Sequence, residues 1–430
     1  MKSYVVCGLG FGDEGKGHTV AWLTKTTNAS TIIRFNGGPQ AAHHVVHKGK
    51  THLFAQFGAG MIVDNRVKTF LSKQMVVQPF NLLREAEVHA QNGIFQPLQR
   101  LKVDCDCPVV TVWHKVLNRA REISRGKQRL GSVGIGVGET FHYLRHYPQA
   151  AITVGDLVRT QQLPQKIAIL YQYVTDILGD LKKNNDLTQF LIKQKPLFNS
   201  TDITNLLIQV GQELSHCILW EDERQTFLKE ALFSETTILE GAQGALLDYE
   251  QGTAPYVTKS KTVCSEATKL LSPYLQTLDV KYIGVSRPYM HRHGPGPLPT
   301  EAPQLAPILC DRHNSENEWQ GSFRVGWFDT VLANYAKTIN PELDYVVLTN
   351  MDRLSSIKSL KIGNGYDTGR RLSESFSEFL FRAQPVYEVV PNNNVLISKV
   401  EDAYQTPILA ISAGEENEWR WDKNQYNRLF

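Results

Sequence analysis

An acid and a base lie within a glycine-rich turn close to the start of the chain. Gly10–Gly17 reads Gly-Phe-Gly-Asp-Glu-Gly-Lys-Gly, which places Asp13 and Lys16 inside the turn. The apolar run Tyr4–Gly8 before it predicts a buried strand, and a helical pattern begins at His18 after it. A strand followed by such a turn and a helix directs backbone N–H groups at a phosphate, which glycine allows to approach closely. The stretch therefore predicts a phosphate site with a carboxylate and an ammonium beside it.

Two generic motifs overlap in this turn, and neither fits it cleanly. The Gly-x-Gly-x-x-Gly pattern matches the dinucleotide fingerprint, yet Ile33–Asn36 supplies no acidic residue at the end of the second strand to hold a ribose. A Walker-type loop needs Ser or Thr for magnesium where this chain has Gly17. The carboxylate of Asp13 repels phosphate unless it binds a metal or accepts a proton. A Rossmann dehydrogenase and a plain turn with an exposed acid and base are the less favoured interpretations.

Two stretches resemble a known family. The runs Gly12–Gly17 and Arg34–Gly38, the second followed by Ala42-His43, resemble signature motifs of the adenylosuccinate synthetase family. That family joins the 6-oxygen position of inosine monophosphate to aspartate, using GTP and Mg²⁺. The resemblance implies that Asp13 accepts the N1 proton of a 6-oxopurine nucleotide and contacts Mg²⁺. It also implies that His43 stabilises charge on the transferring phosphoryl group and that Ala42 offers its carbonyl oxygen to the metal.

Further motifs extend the resemblance along nearly the whole chain and imply the remaining contacts. The residues matching contacts to GTP and its phosphates are Gly12, Glu14, Gly15, Lys16, Gly17, His44, Arg324, Asp352, Ser412 and Gly414. Those matching contacts to the purine nucleotide are Gln40, Ser132, Gln243 and Thr258, and those matching contacts to the amino acid are Thr300, Ser322 and Arg324. The carboxylate of Asp352 suits guanine, because it can accept from N1–H and the 2-amino group, which adenine lacks.

The chain departs from the family pattern where the amino acid and the substrate phosphate should bind. The loop Asn317–Asp329 lacks the family's Thr-Thr-Gly, and Ser322 stands where an arginine is expected. A dicarboxylate needs guanidinium groups or dense N–H donors to replace its lost water. An arginine that reaches across the family's dimer is absent from Gln149–Thr153, where Arg145 is the candidate replacement.

These departures leave the substrates open. The favoured function is a GTP-dependent ligase that acts on an IMP-like nucleotide, with aspartate as the default amine. One alternative is a specialised paralogue that uses a different amine or a deoxy or modified purine nucleotide. An alternative of another class is a nucleotide-binding protein that has lost the reaction.

Composition limits the partners and the compartment. The 430 residues carry 42% apolar and 21% charged side chains, with a formal net charge of +3, so no electrostatic attraction to nucleic acid or to a membrane is expected. The six cysteines are scattered without a zinc-type spacing, which is typical of a reduced cytoplasmic protein. We therefore expect small-molecule partners only, and the resemblance implies a homodimer.

Alternating apolar strands and amphipathic helices predict an α/β fold. The resemblance implies a large, mostly parallel central sheet flanked by helices, with a P-loop-like turn after the first strand. We expect one domain, residues 1–430, with a peripheral helical subdomain at about 111–235. Within that segment, helices are predicted over 111–126 and 162–183, and Thr201 and Asp202 are expected to cap a helix that extends through Leu219.

Overall fold

A ten-stranded sheet forms the centre of the computed structural model, which describes residues 2–310, 319–371, 373–414 and 419–421. The strands in chain order are β1 Lys2–Gly8, β2 Thr31–Arg34, β3 His43–His47, β4 Lys50–Phe54, β5 Lys68–Leu71, β6 Leu101–Asp104, β7 Ile218–Leu219, β8 Thr237–Gly244, β9 Asp279–Ser286, β10 Tyr289–His293, β11 Phe323–Asp329, β12 Tyr345–Leu348, β13 Leu360–Tyr366, β14 Pro385–Val390, β15 Ile408–Ser412 and β16 Trp419–Trp421.

The helices flank this sheet. In chain order they are α1 Lys16–Thr27, α2 Pro79–Gln91, α3 Val112–Arg125, α4 Val137–His146, α5 Leu163–Asp180, α6 Asn185–Gln194, α7 Ser200–Leu214, α8 Glu221–Ser234, α9 Ser265–Leu271, α10 Ala306–Leu309, α11 Thr330–Thr338, α12 Phe376–Arg382 and α13 Asn393–Tyr404. Among the helices that the structure describes, none is both long and apolar enough to cross a membrane.

The central sheet has the order β16-β15-β12-β9-β1-β8-β2-β5-β6-β7. Its neighbouring strands run parallel, except that the edge strand β16 is antiparallel to β15. β10, β11, β13 and β14 form a second sheet, and β3 pairs with β4 in a hairpin. The predicted α/β fold with a mostly parallel central sheet is thus confirmed.

Strand β1 shows why the sheet is buried on both faces. Tyr4 and Val6 join one hydrophobic core cluster, whereas Val5 and Cys7, which alternate with them, join another. Successive side chains of a strand point to opposite faces, so each face needs its own layer of helices. Because the strands are parallel, the carboxyl ends of β1, β8, β12 and β15 meet at one edge of the sheet, where such folds place their ligands.

The helices α3–α7 lie between β6 and the short strand β7, which returns to the edge of the central sheet, and α8 follows β7. Buried residues of α3, α5 and α7 share one core cluster with residues of β1 and β2. We propose on this basis that residues 111–235 are a helical subdomain of one domain.

The predicted helices over 111–126 and 162–183 correspond to α3 and α5. The expected cap at Thr201 and Asp202 was wrong, because the side chain of Asn199 caps α7 by accepting from the backbone N–H groups of both residues. The helix also ends earlier than expected, at Leu214.

Candidate active site

The turn between β1 and α1 is held in shape by a carboxylate from within it. Glu14 is buried, and its Oε1 accepts from the backbone N–H groups of Gly10 (2.9 Å) and Gly12 (2.8 Å). Its Oε2 accepts from Nζ of Lys16 at 2.6 Å, which forms a buried ion pair. Asp13 has a φ of 57°, a left-handed conformation that is uncommon for a residue with a side chain. The turn therefore presents the carboxylate of Asp13 outward while that of Glu14 stays beneath it.

Gly17 allows the first turn of α1 to approach the start of β3. A Cβ atom at this position would lie 2.7 Å from Cβ of His43, which is closer than real Cβ atoms approach. The glycine thus brings the phosphate-binding turn and the predicted catalytic histidine into contact.

His43 is oriented by a glutamate on β8. Its Nδ1 lies 2.5 Å from Oε1 of Glu240, and Oε2 of Glu240 accepts from the backbone N–H of Ala59 at 2.9 Å. Both side chains are buried. Nε2 of His43 has no hydrogen-bond partner within the described part of the chain, and the residue lines a cavity. Nε2 is therefore the atom that His43 offers to a ligand.

The electrostatics of this pair favour a neutral imidazole beside an ionised carboxylate. Burial lowers the pKa of His43, although the hydrogen bond to Glu240 opposes the shift. Burial alone would raise the pKa of Glu240, but Arg34 and the bond from His43 hold it below its usual value. Because Glu240 is ionised, it accepts from Nδ1–H and leaves the lone pair at Nε2.

The first cavity lies at the carboxyl edge of the central sheet and brings together most of the predicted GTP and catalytic residues. Those lining it are Gly12, Asp13, Gly15, Lys16, Gly17, Gln40, Ala42, His43, His44, Gln243, Asp352, Ser412 and Gly414. The cationic side chains in the lining are Lys16, Arg287 and Arg353, and a triphosphate requires such positive charge.

A second cavity continues from the first and collects the four residues predicted for the purine nucleotide, Gln40, Ser132, Gln243 and Thr258. Gln40 and Gln243 line both cavities, so the two spaces meet at these amides. Residues 130–139 also line the second cavity and lead into α4, whose N-cap Gly136 has a φ of 100° and supplies no side-chain cap. Such a helix N-terminus suits a phosphate.

Four predicted site residues lie outside the linings of both cavities. Glu14 is beneath the turn, and Thr300 is fully buried with its hydroxyl donating to the carbonyl oxygen of Trp327 at 2.6 Å. Ser322 is exposed. Arg324 donates to Glu301 (2.6 Å) and to the carbonyl oxygens of residues 294 and 296. Their roles stay predictions, and Asn317 and Glu318 of the predicted amino-acid loop lie outside the described residues.

Arg145, the candidate cross-dimer arginine, does not line the second cavity. It is exposed, donates to the carbonyl oxygen of Lys259 at 2.9 Å and lies over the ring of Tyr249 at 4.0 Å. The basic side chains that do line this cavity are Arg121, Arg125 and Lys259.

Sequence reasoning missed several residues of the site. Glu240 comes directly before the run Gly241–Gly244, Gly-Ala-Gln-Gly. An acidic residue inside a buried strand is unusual, and this could have marked Glu240 as a site residue. Arg287, His18 and Arg353 also line the first cavity. Gln320 lines both cavities. No motif or spacing in the sequence distinguishes these four residues, His18, Arg287, Gln320 and Arg353.

The residues predicted to bind Mg²⁺ fit a hard cation. The side chain of Asp13 is 39% exposed, and Asp13 and Ala42 line the same cavity. A carboxylate, a backbone carbonyl and phosphate oxygens are the ligands that Mg²⁺ prefers, with water completing its shell.

Comparisons with known proteins identify the family of this chain. The family model for adenylosuccinate synthetase matches residues 5–415. The adenylosuccinate synthetase of Microcystis aeruginosa is 32% identical over 399 residues, covering 91% of this chain and 84% of that protein. That of Alkalilimnicola ehrlichii is 29% identical over 438 residues, covering 96% of each.

Solved structures show the same fold. The fully ligated adenylosuccinate synthetase of Plasmodium falciparum has a TM-score of 0.82 at 22% identity, over 98% of this chain and 99% of that one. The succinoaminodeoxyadenylate synthetase (PurZ) of cyanophage S-2L, bound to dGMP and dATP, has a TM-score of 0.63 at 16% identity, over 100% and 99%. Since the family model matches residues 5–415 and the 32% identical relative covers 91% of this chain, the chain belongs to the adenylosuccinate synthetase family.

Proposed function

We propose that this protein phosphorylates the 6-oxygen of an IMP-like nucleotide with GTP and then replaces it with the amino group of an amino acid. Its family consists of GTP- and Mg²⁺-dependent ligases that form C–N bonds. The single observation that carries the proposal is the meeting of Asp13 and His43 in one cavity that continues into a second, nucleotide-sized space. A protein that only binds nucleotides has no need of both groups.

The first step transfers a phosphoryl group. Asp13 takes the N1 proton of the purine, and the electron pair released makes O6 nucleophilic. O6 attacks the γ-phosphorus, and the bond from that phosphorus to the β–γ bridging oxygen breaks. His43 stabilises the charge that develops there by donating from a protonated Nε2, and the ionised Glu240 at Nδ1 favours this imidazolium once the anionic phosphates are bound. Mg²⁺ held by Asp13 and the Ala42 carbonyl would neutralise phosphate charge.

The second step forms the C–N bond. The amine attacks C6, the C6–O bond breaks, and inorganic phosphate leaves with its electron pair. The amine loses one proton to the departing phosphate, and the proton on Asp13 passes to solvent, so that N1 of the 6-amino product stays unprotonated. The second cavity, with Ser132 and Thr258 in its lining, would hold the nucleotide during both steps.

Guanine is the base that the first cavity favours for the phosphate donor. Asp352 lines this cavity, and its carboxylate can accept from two donors that guanine has and adenine lacks. Ser412 and Gly414 lie in the same lining.

The amine is aspartate by default, and one observation favours a second candidate. Arg324 is the arginine that the described part of the predicted amino-acid loop offers, and all three of its nitrogens donate to Glu301 and backbone carbonyls. A dicarboxylate would have to break these bonds or find other donors. A specialised paralogue that couples another amine, or that uses a deoxy or modified purine nucleotide, is therefore the second candidate.

Phosphate release from GTP with Mg²⁺ and IMP, measured with each of the twenty amino acids in turn, tests the proposal. Release with aspartate alone supports the default, and release with another amino acid supports the specialised paralogue. Asp13→Asn should reduce release to a small residual rate in either case. Silence across the panel, also with dIMP, GMP and dGMP as acceptors, would contradict the proposal and favour a binding protein.

We also propose that the protein is a homodimer and that it is cytoplasmic. A homodimer would let the exposed Arg145 contact a partner's nucleotide, in place of the arginine absent from residues 149–153. None of the six cysteines, all of which the structure describes, forms a disulfide bond, which suits a reducing cytoplasm.

A further inference from the structure

Two histidines of β10 lie against the catalytic turn. His291 and His293 are two residues apart on a strand, so their side chains share one face. Nε2 of His291 donates a short hydrogen bond to the carbonyl oxygen of Gly12. Nε2 of His293 lies 3.5 Å from Oδ2 of Asp13. The pair thus touches the peptide before Asp13 and the carboxylate of Asp13 itself.

Phe323 of the neighbouring strand β11 holds both rings in place. The ring centroids of His291 and Phe323 are 5.5 Å apart with planes 28° from parallel, and those of His293 and Phe323 are 4.9 Å apart at 68°. Both histidines are largely buried, since His291 is 4% exposed and the His293 side chain is 9% exposed. Their positions are therefore set by the second sheet and not by the turn that they contact.

The turn requires such support because Asp13 is in a left-handed conformation. Its φ is 57°, and it follows Gly12 with a φ of 88°. Aspartate tolerates this conformation better than most residues with a side chain, but the conformation still costs free energy, which contacts around the turn must offset. Glu14 holds the turn from beneath through the N–H groups of Gly10 and Gly12, but it does not contact the carboxylate of Asp13 in the described structure.

We propose that His291 and His293 are positioning residues that hold Asp13 in its left-handed conformation and aim its carboxylate at the purine N1. The inference rests on the proposed function for the identity of that proton donor. The contact to Gly12 fixes the backbone, and the contact to Asp13 limits the rotation of its side chain. His293 also lines the second cavity, so the aimed carboxylate lies where the substrate base would enter.

The bond to Gly12 defines the form of His291. Because a carbonyl oxygen accepts only, Nε2 of His291 must carry the hydrogen. Burial also lowers the pKa of this histidine far below its ordinary value, with Arg287 nearby acting in the same direction. The donor is therefore a neutral imidazole, which holds the turn without adding charge to the cavity.

A buried histidine elsewhere in the fold serves as the control for substitutions of His291 and His293. His89 of α2 is 2% exposed and packs on Phe54 and Phe57 with centroids 4.6 and 5.4 Å away. It lines neither of the two cavities. His89→Leu therefore measures what the loss of a buried, ring-packed histidine costs when no catalytic residue is involved.

The kinetic test uses His291→Leu, His291→Gln and His293→Leu. We expect the two leucine variants to lower kcat by about 10-fold or more while KM for GTP stays within about 3-fold, because only the aim of Asp13 is lost. Glutamine retains an N–H donor near the position of Nε2, so His291→Gln should recover part of kcat. In an Asp13→Asn background the leucine substitutions should cost little further, because the effects act through one residue.

Hydrogen exchange of the turn gives a readout that needs no activity. In the leucine variants, the amides of residues 10–17 should exchange faster than in the wild type, and in His89→Leu they should not. Unchanged exchange in both leucine variants would overturn the proposal, as would losses of kcat that add fully to that of Asp13→Asn. A wild type without turnover would defeat the proposed function, whereas the exchange result would still decide whether the histidines hold the turn.

Discussion

The contact between His43 and Glu240 predicts that Glu240→Gln lowers kcat in part and does not abolish activity. The Nδ1–Oε1 distance of 2.5 Å and the burial of both side chains mark a charge-assisted hydrogen bond. Such bonds contribute about 1.5–3 kcal/mol, and neutral ones about half of that. The amide should therefore lose roughly 0.75–1.5 kcal/mol of transition-state stabilisation, which corresponds to a fall in kcat of about 3.5- to 13-fold.

The substitution should also lower stability. Oε2 of Glu240 accepts from the backbone N–H of Ala59, and a glutamine that accepts from His43 must turn its NH₂ group toward that N–H. Leaving one buried donor without an acceptor costs about 1–3 kcal/mol, so the melting temperature should fall.

The assay is GTP-dependent phosphate release at saturating substrates, with KM measured separately for GTP and for the purine nucleotide. Glu235→Gln is the matched control, because Glu235 binds the hydroxyls of Ser30 and Thr31 and lines neither of the two cavities. We expect both KM values of Glu240→Gln to stay within about 3-fold, since the pair acts on developing charge. Wild-type turnover in Glu240→Gln, combined with an inactive His43→Asn, would refute the reasoning.

Three further perturbations follow from the geometry. His114→Gln should reduce the loss of stability in acid by about 1.4 kcal/mol per pH unit below pH 6.5, measured by urea unfolding at several pH values. Trp419→Ala should weaken GTP binding by about 2- to 12-fold, measured by calorimetry, because Trp419 stacks on His18 at 4.9 Å and His18 lines the first cavity. Gly17→Ala should lower kcat by about 10-fold or more, because its Cβ would displace His43.

The sign of the His114 prediction follows from its lowered pKa. Burial lowers this pKa from 6.5 to about 3, so the folded state keeps the imidazole neutral while the unfolded chain takes up a proton below pH 6.5. The contribution to stability is complete above pH 6.5 and is lost as the pH falls toward 3. If the free energy of unfolding falls equally steeply with decreasing pH in the wild type and in His114→Gln, this account is wrong.

Unchanged GTP affinity in Trp419→Ala would contradict the prediction for Trp419, and a normal kcat in Gly17→Ala would contradict the prediction for Gly17.

The strands and the catalytic turn were predictable from sequence because their signals are local. The apolar run Tyr4–Gly8 and the glycines after it specify a buried strand and a turn that only such residues can form. Gln243, which is predicted to contact the purine nucleotide, lies near the carboxyl end of β8 and lines both cavities. Each of these features depends on residues close together in the chain.

The rest depended on contacts between distant residues. Glu240 meets His43 across 197 positions, and His291 meets Gly12 across 279. A single sequence carries no trace of such pairs, because their spacing follows no period. The cap of α7 was misjudged for a different reason, since Asn199, Thr201 and Asp202 are all good N-cap residues and local propensity does not choose among them.

The buried carboxylate of Glu14 has a consequence for the choice between ligands. In the described structure the turn already holds an anion of its own, which occupies the N–H groups of Gly10 and Gly12 and the ammonium of Lys16. An incoming phosphate must compete with this internal occupant. A lone phosphate ion gains only the contacts for which it competes with Glu14. A nucleoside triphosphate also gains contacts between its base and the part of the cavity near Asp352 and Ser412. The turn should therefore bind the free phosphate of the cell weakly and should bind a ligand tightly only when both its phosphates and its base make contacts.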